Sequence, residues 1–298
     1  MTATSERAPG QVHPAPWLVP AVLVLAAFYA VPVFDVARLA FSDASLVDPA
    51  TEVSTAAFRA VLSNPALPGV VATTLLFVVV NVVALQILGL AIALLIARGE
   101  RRELPGMAAF RTLVLAAWVV PGIANGLIWQ ILFDEAPYGT LNSILGGLGL
   151  GPVAWLSDPQ MALVSAVIAN LWQGTAFSMI VLYAARRGID PTLYEVAALD
   201  GAGPWRTFRA ITLPLLRRAI AVNTVLVSVQ TLNTFDSILA LTGGGPGRAT
   251  EVLALFTFNT VFYNLDLAAG CVLALLLFAL GMAFTLLIGW LNRGASET

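Results

Sequence analysis

The chain contains no lysine, a single histidine (His13), a single cysteine (Cys271) and only 11% charged residues. Each scarcity removes a chemistry. Without lysine there is no Gly-Lys-Ser or Gly-Lys-Thr phosphate loop, so the glycine cluster Gly243, Gly244, Gly245 and Gly247 is not a nucleotide-binding turn. His13 sits in a polar N-terminal tail and Cys271 inside an apolar run, which leaves no zinc set and no internal disulfide. Nor is there a nucleophile, base or metal cluster for an enzyme embedded in a membrane, so no catalytic residue and no resident cofactor are expected.

Apolar sequence is abundant: 59% of the 298 residues are hydrophobic, and the polar residues are confined to short stretches between long apolar ones. A bilayer-crossing helix needs roughly 20 residues. Six uncharged runs compete for that role: Trp17 to Phe34, Val70 to Ala97, Thr112 to Phe133, Gln160 to Ala185, Ala219 to Phe235 and Leu267 to Asn292. The fifth is short and polar but gains length by continuing through Asp236 to Leu241. The expectation is an all-α membrane protein with six transmembrane helices, spanning residues 17–292 between tails at 1–16 and 293–298. The first run begins Pro16-Trp17 and lacks a small-x-small cleavage site, which favours a retained helix over a signal peptide.

Basic residues near membrane ends stay on the cytoplasmic side. All fifteen here are arginine. With both termini inside, Arg7, Arg98, Arg101, Arg102, Arg111, Arg186, Arg187, Arg206, Arg209, Arg217, Arg218 and Arg293 fall on cytoplasmic segments, and only Arg38, Arg59 and Arg248 fall outside. That asymmetry sets the orientation. It makes residues 42–68, 134–159 and 242–264 the long outer segments, the second holding a short interfacial helix over Leu141 to Leu150. The inner connectors are a basic turn at 98–111 and a loop at 186–218. The all-arginine usage with abundant alanine points to a GC-rich bacterial genome.

The inner loop of about thirty residues carries its own helix signals. Asp190-Pro191 is an N-cap and first-turn pair, and Gly201 suits a left-handed helix end. A helix is therefore expected over Thr192 to Leu199, with a second short helix from Gly203-Pro204. Trp205, Phe208, Ile211 and Leu213 then form an apolar face in a cytoplasmic loop, which calls either for a partner or for cover from the chain's own helices.

The loop reads Glu195-Val196-Ala197, three residues, Gly201, nine residues, then Ile211-Thr212-Leu213-Pro214. This resembles the EAA loop of ABC importer permeases, and Asp200, Gly201, Ala202 and Phe208 extend the likeness to the binding-protein-dependent sugar permeases. Two departures stand out: Val196 replaces the usual second alanine, and Arg218 stands where many members have a proline. The similarity runs from roughly Thr73 to Trp290. It includes Ala154 to Pro159 and the Thr242 to Pro246 turn, in the manner of the larger membrane subunit of maltose importers and the glycerol-phosphate permease.

The resemblance implies a type I importer permease. Its loop is a coupling helix seated in a cytoplasmic ATPase through Glu195, Ala197, Ala198, Leu199, Asp200, Gly201, Ile211, Leu213 and Pro214. It also implies a solute path touching Trp118, Gly122, Asn170, Gln173, Gly174, Phe177, Val227, Thr231 and Thr234. The implied partners are a second homologous permease, two ATPase subunits that carry the ATP and magnesium, an extracytoplasmic solute-binding protein and the lipid bilayer, with no nucleic acid. The location implied is the bacterial inner membrane.

Residue chemistry supports part of that path. Polar groups in hydrocarbon are costly unless they face protein or water. Asn170, Gln173 and Phe177 share a helical face. The fifth run carries Asn223, Gln230, Thr231, Asn233, Thr234, Asp236 and Ser237, and an amide-and-hydroxyl lining with an aromatic platform suits a sugar. The same residues could instead bond helix to helix, and Asp236, near the outer end, reads as structural. The alternative within the resemblance is an ABC permease for a non-sugar solute such as a phosphate ester, a polyamine or an oxyanion. An ion-driven secondary transporter would place charges at mid-membrane and show inverted repeats, neither of which is evident.

Overall fold

The computed structural model describes residues 15–48, 52–136 and 139–293. Among them the single extended pairing is a bridge between Ser42 and Val53, and everything else regular is helical. In chain order the helices are α1 (Ala15–Leu25), α2 (Val31–Ala40), α3 (Ala56–Leu62), α4 (Leu67–Arg101), α5 (Met107–Val119), α6 (Gly122–Leu132) and α7 (Thr140–Gly147). They continue with α8 (Pro159–Arg187), α9 (Thr192–Leu199), α10 (Pro204–Thr207), α11 (Leu213–Leu232), α12 (Asp236–Leu241), α13 (Leu253–Phe262) and α14 (Leu267–Arg293). His13, Arg7 and the last five residues lie outside the described residues.

Five stretches are long and apolar enough to cross a membrane: Leu18–Ala40, Leu67–Arg101, Pro159–Arg187, Pro204–Leu232 and Leu267–Leu291. The third expected span, Thr112 to Phe133, is not one straight helix. It is α5 and α6, bent by 103°. The cause is Pro121: it has no N–H to donate and its ring pushes the residue before it out of helical conformation. Val120 accordingly adopts φ −67°, ψ 126° and Pro121 φ −59°, ψ 145°. The fifth run also departs from expectation, because it ends at Leu232 and resumes as the separate helix α12 after Asn233, Thr234 and Phe235. The two pieces that follow these breaks, α6 and α12, pack on each other.

Two other prolines are absorbed without a break. A π turn precedes each: Ala26–Ala30 before Pro32, and Phe208–Thr212 before Pro214. In both, the residue ahead of the proline donates its N–H five residues back, Val31 to Ala26 and Leu213 to Phe208. The wider turn makes room where the proline supplies no N–H. The inner loop's second helix is therefore not a separate short element, as its sequence suggested, but the start of one 29-residue span from Pro204 to Leu232.

The bundle is organised around α4 and α8, which lie side by side through small residues. A Cβ on Gly89 would sit 2.5 Å from the Ser178 Cβ and 2.9 Å from that residue's carbonyl carbon. With no hydrophobic force between helices in lipid, such close approach supplies the dispersion contacts. Phe77, Leu85, Ile96, Met179 and Leu182 fill the two sides of this seam. Gly89→Val is expected to cost about 2 kcal/mol from overpacking, read as a lower apparent Tm of the detergent-solubilised protein.

Buried amides pin α11 to the seam. Asn223 donates to Gln86 Oε1 at 3.0 Å and to Ser178 Oγ at 3.1 Å, and Gln86 donates to Thr224 Oγ1 at 2.6 Å. Outside this core, residues 18–34 of the first span are exposed along their whole length, and only Val36 to Ala40 pack, against α14.

Candidate coupling surface and solute path

The inner loop forms a short platform. Asp190 Oδ1 accepts the Thr192 N–H at 2.9 Å and so caps α9; hydrogen bonding from Thr192 holds this carboxyl below the usual range. At the other end Gly201 takes φ +71°, a left-handed conformation that glycine adopts without strain, and Ala202 N–H closes on Ala197 O at 2.9 Å. Both helix-end signals in the sequence are thus realised.

Between those ends α9 has two faces. Leu193, Val196 and Leu199, three residues apart, form an exposed apolar stripe, with Leu199 87% exposed and the exposed Glu195 beside it. Ala198 and Asp200 are exposed too. Ala197 is not: it is buried against the chain itself, so of the expected groove-filling residues it faces inward while Leu193 and Val196 face out. On the far face Tyr194 hydrogen-bonds Thr212 Oγ1 at 3.1 Å and stacks beneath Arg186, whose guanidinium carbon is 4.0 Å from the ring centroid. Trp205 is 72% exposed, Phe208 and Ile211 are half-buried, and Leu213 and Pro214 open outward at the foot of α11.

Four of the nine expected path residues, Trp118, Gly122, Gln173 and Phe177, gather around the α5–α6 break. The break leaves the Val120 carbonyl without a helical partner, and Gln173 Nε2 donates to it at 2.6 Å. Asn125, fully buried on α6, donates to Ser237 Oγ at 3.0 Å, to Ala169 O at 3.2 Å and to Gln173 Oε1 at 3.3 Å. Gly122 and Gly126, four apart, let α6 meet α12 at close range: a Cβ on Gly122 would fall 1.9 Å from Asp236 Oδ2, and one on Gly126 would fall 2.4 Å from Ser237 O. Asp236 thus faces the first turn of α6, where a negative charge is favoured. Trp118, half-exposed, lies against Phe177 with ring centroids 5.8 Å apart.

Other expected path residues are used within the subunit. Asn170 donates to Asn81 Oδ1 at 2.8 Å, and Gly174 lies against Leu85. Val227 and Thr231 are buried, Val227 in the cluster with Val78, Val82 and Leu85. Thr234 Oγ1 returns to the Gln230 carbonyl at 3.1 Å. A polar residue in an apolar run announces a need for a partner but not which side supplies it, and Asn81, Asn125 and Gln86 carry the same signal without any motif to single them out.

Between α6 and α8, Glu135 staples the segment before α8. It accepts from Leu156 N at 2.6 Å, Ser157 N at 2.7 Å and Ser157 Oγ at 2.7 Å. Partial burial pushes its carboxyl upward, but these three hydrogen bonds outweigh that and hold it below its usual value. Its contribution to stability is therefore complete above the unfolded value of about 4.3 and lost as pH falls through the lower folded value. The Tm difference between the wild type and Glu135→Gln is expected to shrink between pH 6 and pH 3, as thermal melts at a series of pH values would show.

Residues 87–297 match the family model described as the binding-protein-dependent transport system inner membrane component. The trehalose/maltose transport system permease protein MalF of Thermococcus litoralis is 39% identical over 214 residues, 72% of this chain and 70% of that protein. The sulfoquinovosyl glycerol transport system permease protein SmoG of Agrobacterium fabrum is 32% identical over 270 residues, covering 90% and 86%. The sn-glycerol-3-phosphate transport system permease protein UgpA of Brucella abortus is 34% identical over 241 residues, covering 79% and 78%. In fold the chain resembles a bacterial ABC transporter involved in the import of the acidic polysaccharide alginate, with a TM-score of 0.79, 20% identity and 94% of each chain covered. The chain, with its apolar spans, broken helices and inner helical platform, belongs to the family of inner membrane components of binding-protein-dependent transport systems.

Proposed function

We propose that this chain is one of two homologous membrane subunits of a bacterial ABC importer for a sugar or sugar-like solute. It sits in the inner membrane with both termini in the cytoplasm and performs no bond chemistry; ATP and magnesium are handled by two partner ATPase subunits. The observation that carries the reading is α9: Glu195 beside an exposed apolar stripe, on a helix fixed at both ends by Asp190 and Gly201. A contiguous stripe of Leu193, Val196 and Leu199 on an exposed helix is the mark of a docking surface. The ATPase groove covers it, and Glu195 pairs with a basic residue there.

Force on α9 reaches the membrane through the Tyr194–Thr212 contact, because Thr212 lies on the one continuous span from Pro204 to Leu232. Displacement of the platform therefore tilts α11, and the α6–α12 contact follows it. A second permease encloses the path against the exposed Trp118, and an external binding protein delivers the solute. Trp118 with Phe177 supplies the aromatic platform, and Gln173 with Asn125 holds the break that shapes it; Val227 and Thr231 act from behind, within the α4–α11 packing.

The sugar assignment draws on the relatives named for trehalose/maltose and sulfoquinovosyl glycerol. A second reading, a phosphate-ester solute, is favoured by the relatives named for sn-glycerol-3-phosphate. Purification with the co-expressed neighbouring subunits, followed by ATPase assays with binding protein and a solute panel, decides between them. Stimulation by a sugar is expected, and a flat response to every sugar with stimulation by another solute class overturns the substrate assignment. Gln173→Leu is expected to reduce uptake at least tenfold while leaving the ATPase bound, as a pull-down beside a radiolabelled uptake assay would show; unchanged apparent affinity and rate would remove Gln173 from any role at the path.

A further inference from the structure

Between the inner end of α4 and the coupling platform lies a cavity of about 650 Å³ whose lining includes Arg98, Arg101, Arg102, Arg186, Tyr194 and Thr212. Two of its guanidiniums share one ring: Arg186 lies 4.0 Å and Arg101 5.4 Å from the Tyr194 centroid. Like charges held around one ring repel, and Arg186 is additionally buried, at 8% exposure. Among the described residues no carboxylate lies within ion-pair distance of any of these four arginines. Glu100, at the same end of α4, is turned to Arg111 and hydrogen-bonded by Tyr183. A buried cation without a counter-charge is costly, and a fork of guanidiniums with a nearby hydroxyl is the donor set that recognises phosphate oxygens.

We propose that this cavity binds a phosphate group, either the headgroup of an anionic phospholipid or free inorganic phosphate, as the missing counter-charge. The other wall, with Leu94, Ala97 and Phe208, is apolar and continuous with the span of α4, as an amphiphile requires. Bound there, the phosphate ties α4 and α8, through their arginines, to the platform that carries Tyr194, on the helix face turned away from the Leu193–Val196–Leu199 stripe. Its placement at the inner leaflet rests on the orientation proposed above.

The test is native mass spectrometry of the purified full-length chain, titrated separately with phosphatidylglycerol, phosphatidylcholine and inorganic phosphate. One phosphatidylglycerol retained at least tenfold more tightly than phosphatidylcholine, with the preference lost in the double variant Arg98→Gln/Arg101→Gln, assigns the headgroup. Saturable binding of inorganic phosphate without lipid preference, lost in the same variant, assigns the free anion. Those two arginines are on the exposed side, so the test does not depend on a variant of the buried Arg186. Binding of neither ligand, binding unchanged in the variant, or release of the bound ligand when the ATPase assembles overturns the proposal; the last assigns the cavity to an acidic side chain of that partner. Since binding is read on the chain itself, failure of the coupling account in uptake assays leaves this result distinct.

Discussion

Glu195→Lys is expected to leave the protein in the membrane at wild-type abundance and to abolish solute uptake. Glu195 is exposed and, among the described residues, ion-paired with no other side chain, so reversing its charge costs the subunit only the small first-turn preference of α9 for an acid. Its cost falls at the interface. Removing one member of a buried charge pair between proteins costs about 2 to 5 kcal/mol, from roughly thirty-fold to a few thousand-fold in affinity, and a lysine facing a basic residue adds repulsion. Membrane fractions probed for the chain and for co-purifying ATPase separate the two levels. Normal uptake by this variant would remove the coupling role from the loop.

Gly126→Val should have the second large effect, and for a different reason. The added Cβ meets backbone, the Ser237 carbonyl oxygen at 2.4 Å, and not the end of a flexible side chain that could swing aside. Helices α6 and α12 must separate, and Asn125, one residue earlier, then loses its reach to Ser237 Oγ. An overpacking cost of about 3 kcal/mol joins the penalty of a buried amide left partly unpaired. Uptake should be lost and the apparent Tm lowered. Gly146→Val, at a glycine with open space around it, is the matched control and should behave as wild type. Equal thermal stability of the two variants would mean that the α6–α12 contact does not hold the break.

Much of this arrangement is legible in sequence because lipid permits few solutions. A helix satisfies its own backbone, so hydropathy marks the spans within a few residues, as at Leu67–Arg101 and Leu267–Leu291. The coupling loop was readable for another reason: Asp190, Pro191 and Gly201 act on their own neighbours, and local chemistry needs no knowledge of the rest of the chain. The break at Val120–Pro121 was also written locally, but averaged hydropathy hides a proline inside an apolar run. What sequence could not decide was direction. Gln173, Asn170 and Thr231 carry polarity that suits a solute lining or a helix contact equally, and each has a partner or its burial within the subunit. In Gln173 that partner is a carbonyl freed by a break some fifty residues away. Ala197 turned inward for the same reason: one side of α9 had to be buried, and the motif does not say which.

In the proposed cycle a cytoplasmic ATPase grips α9. Leu199 is the most exposed large apolar residue of that helix, and the one natural thiol, Cys271, is buried. Leu199→Cys, treated with a short bifunctional maleimide in the reconstituted complex containing an ATPase with a single cysteine at its groove, is predicted to cross-link to that subunit, while Leu287→Cys on an exposed face of α14 does not. A transporting complex in which Leu199→Cys never cross-links, whichever groove position carries the second thiol, would contradict it.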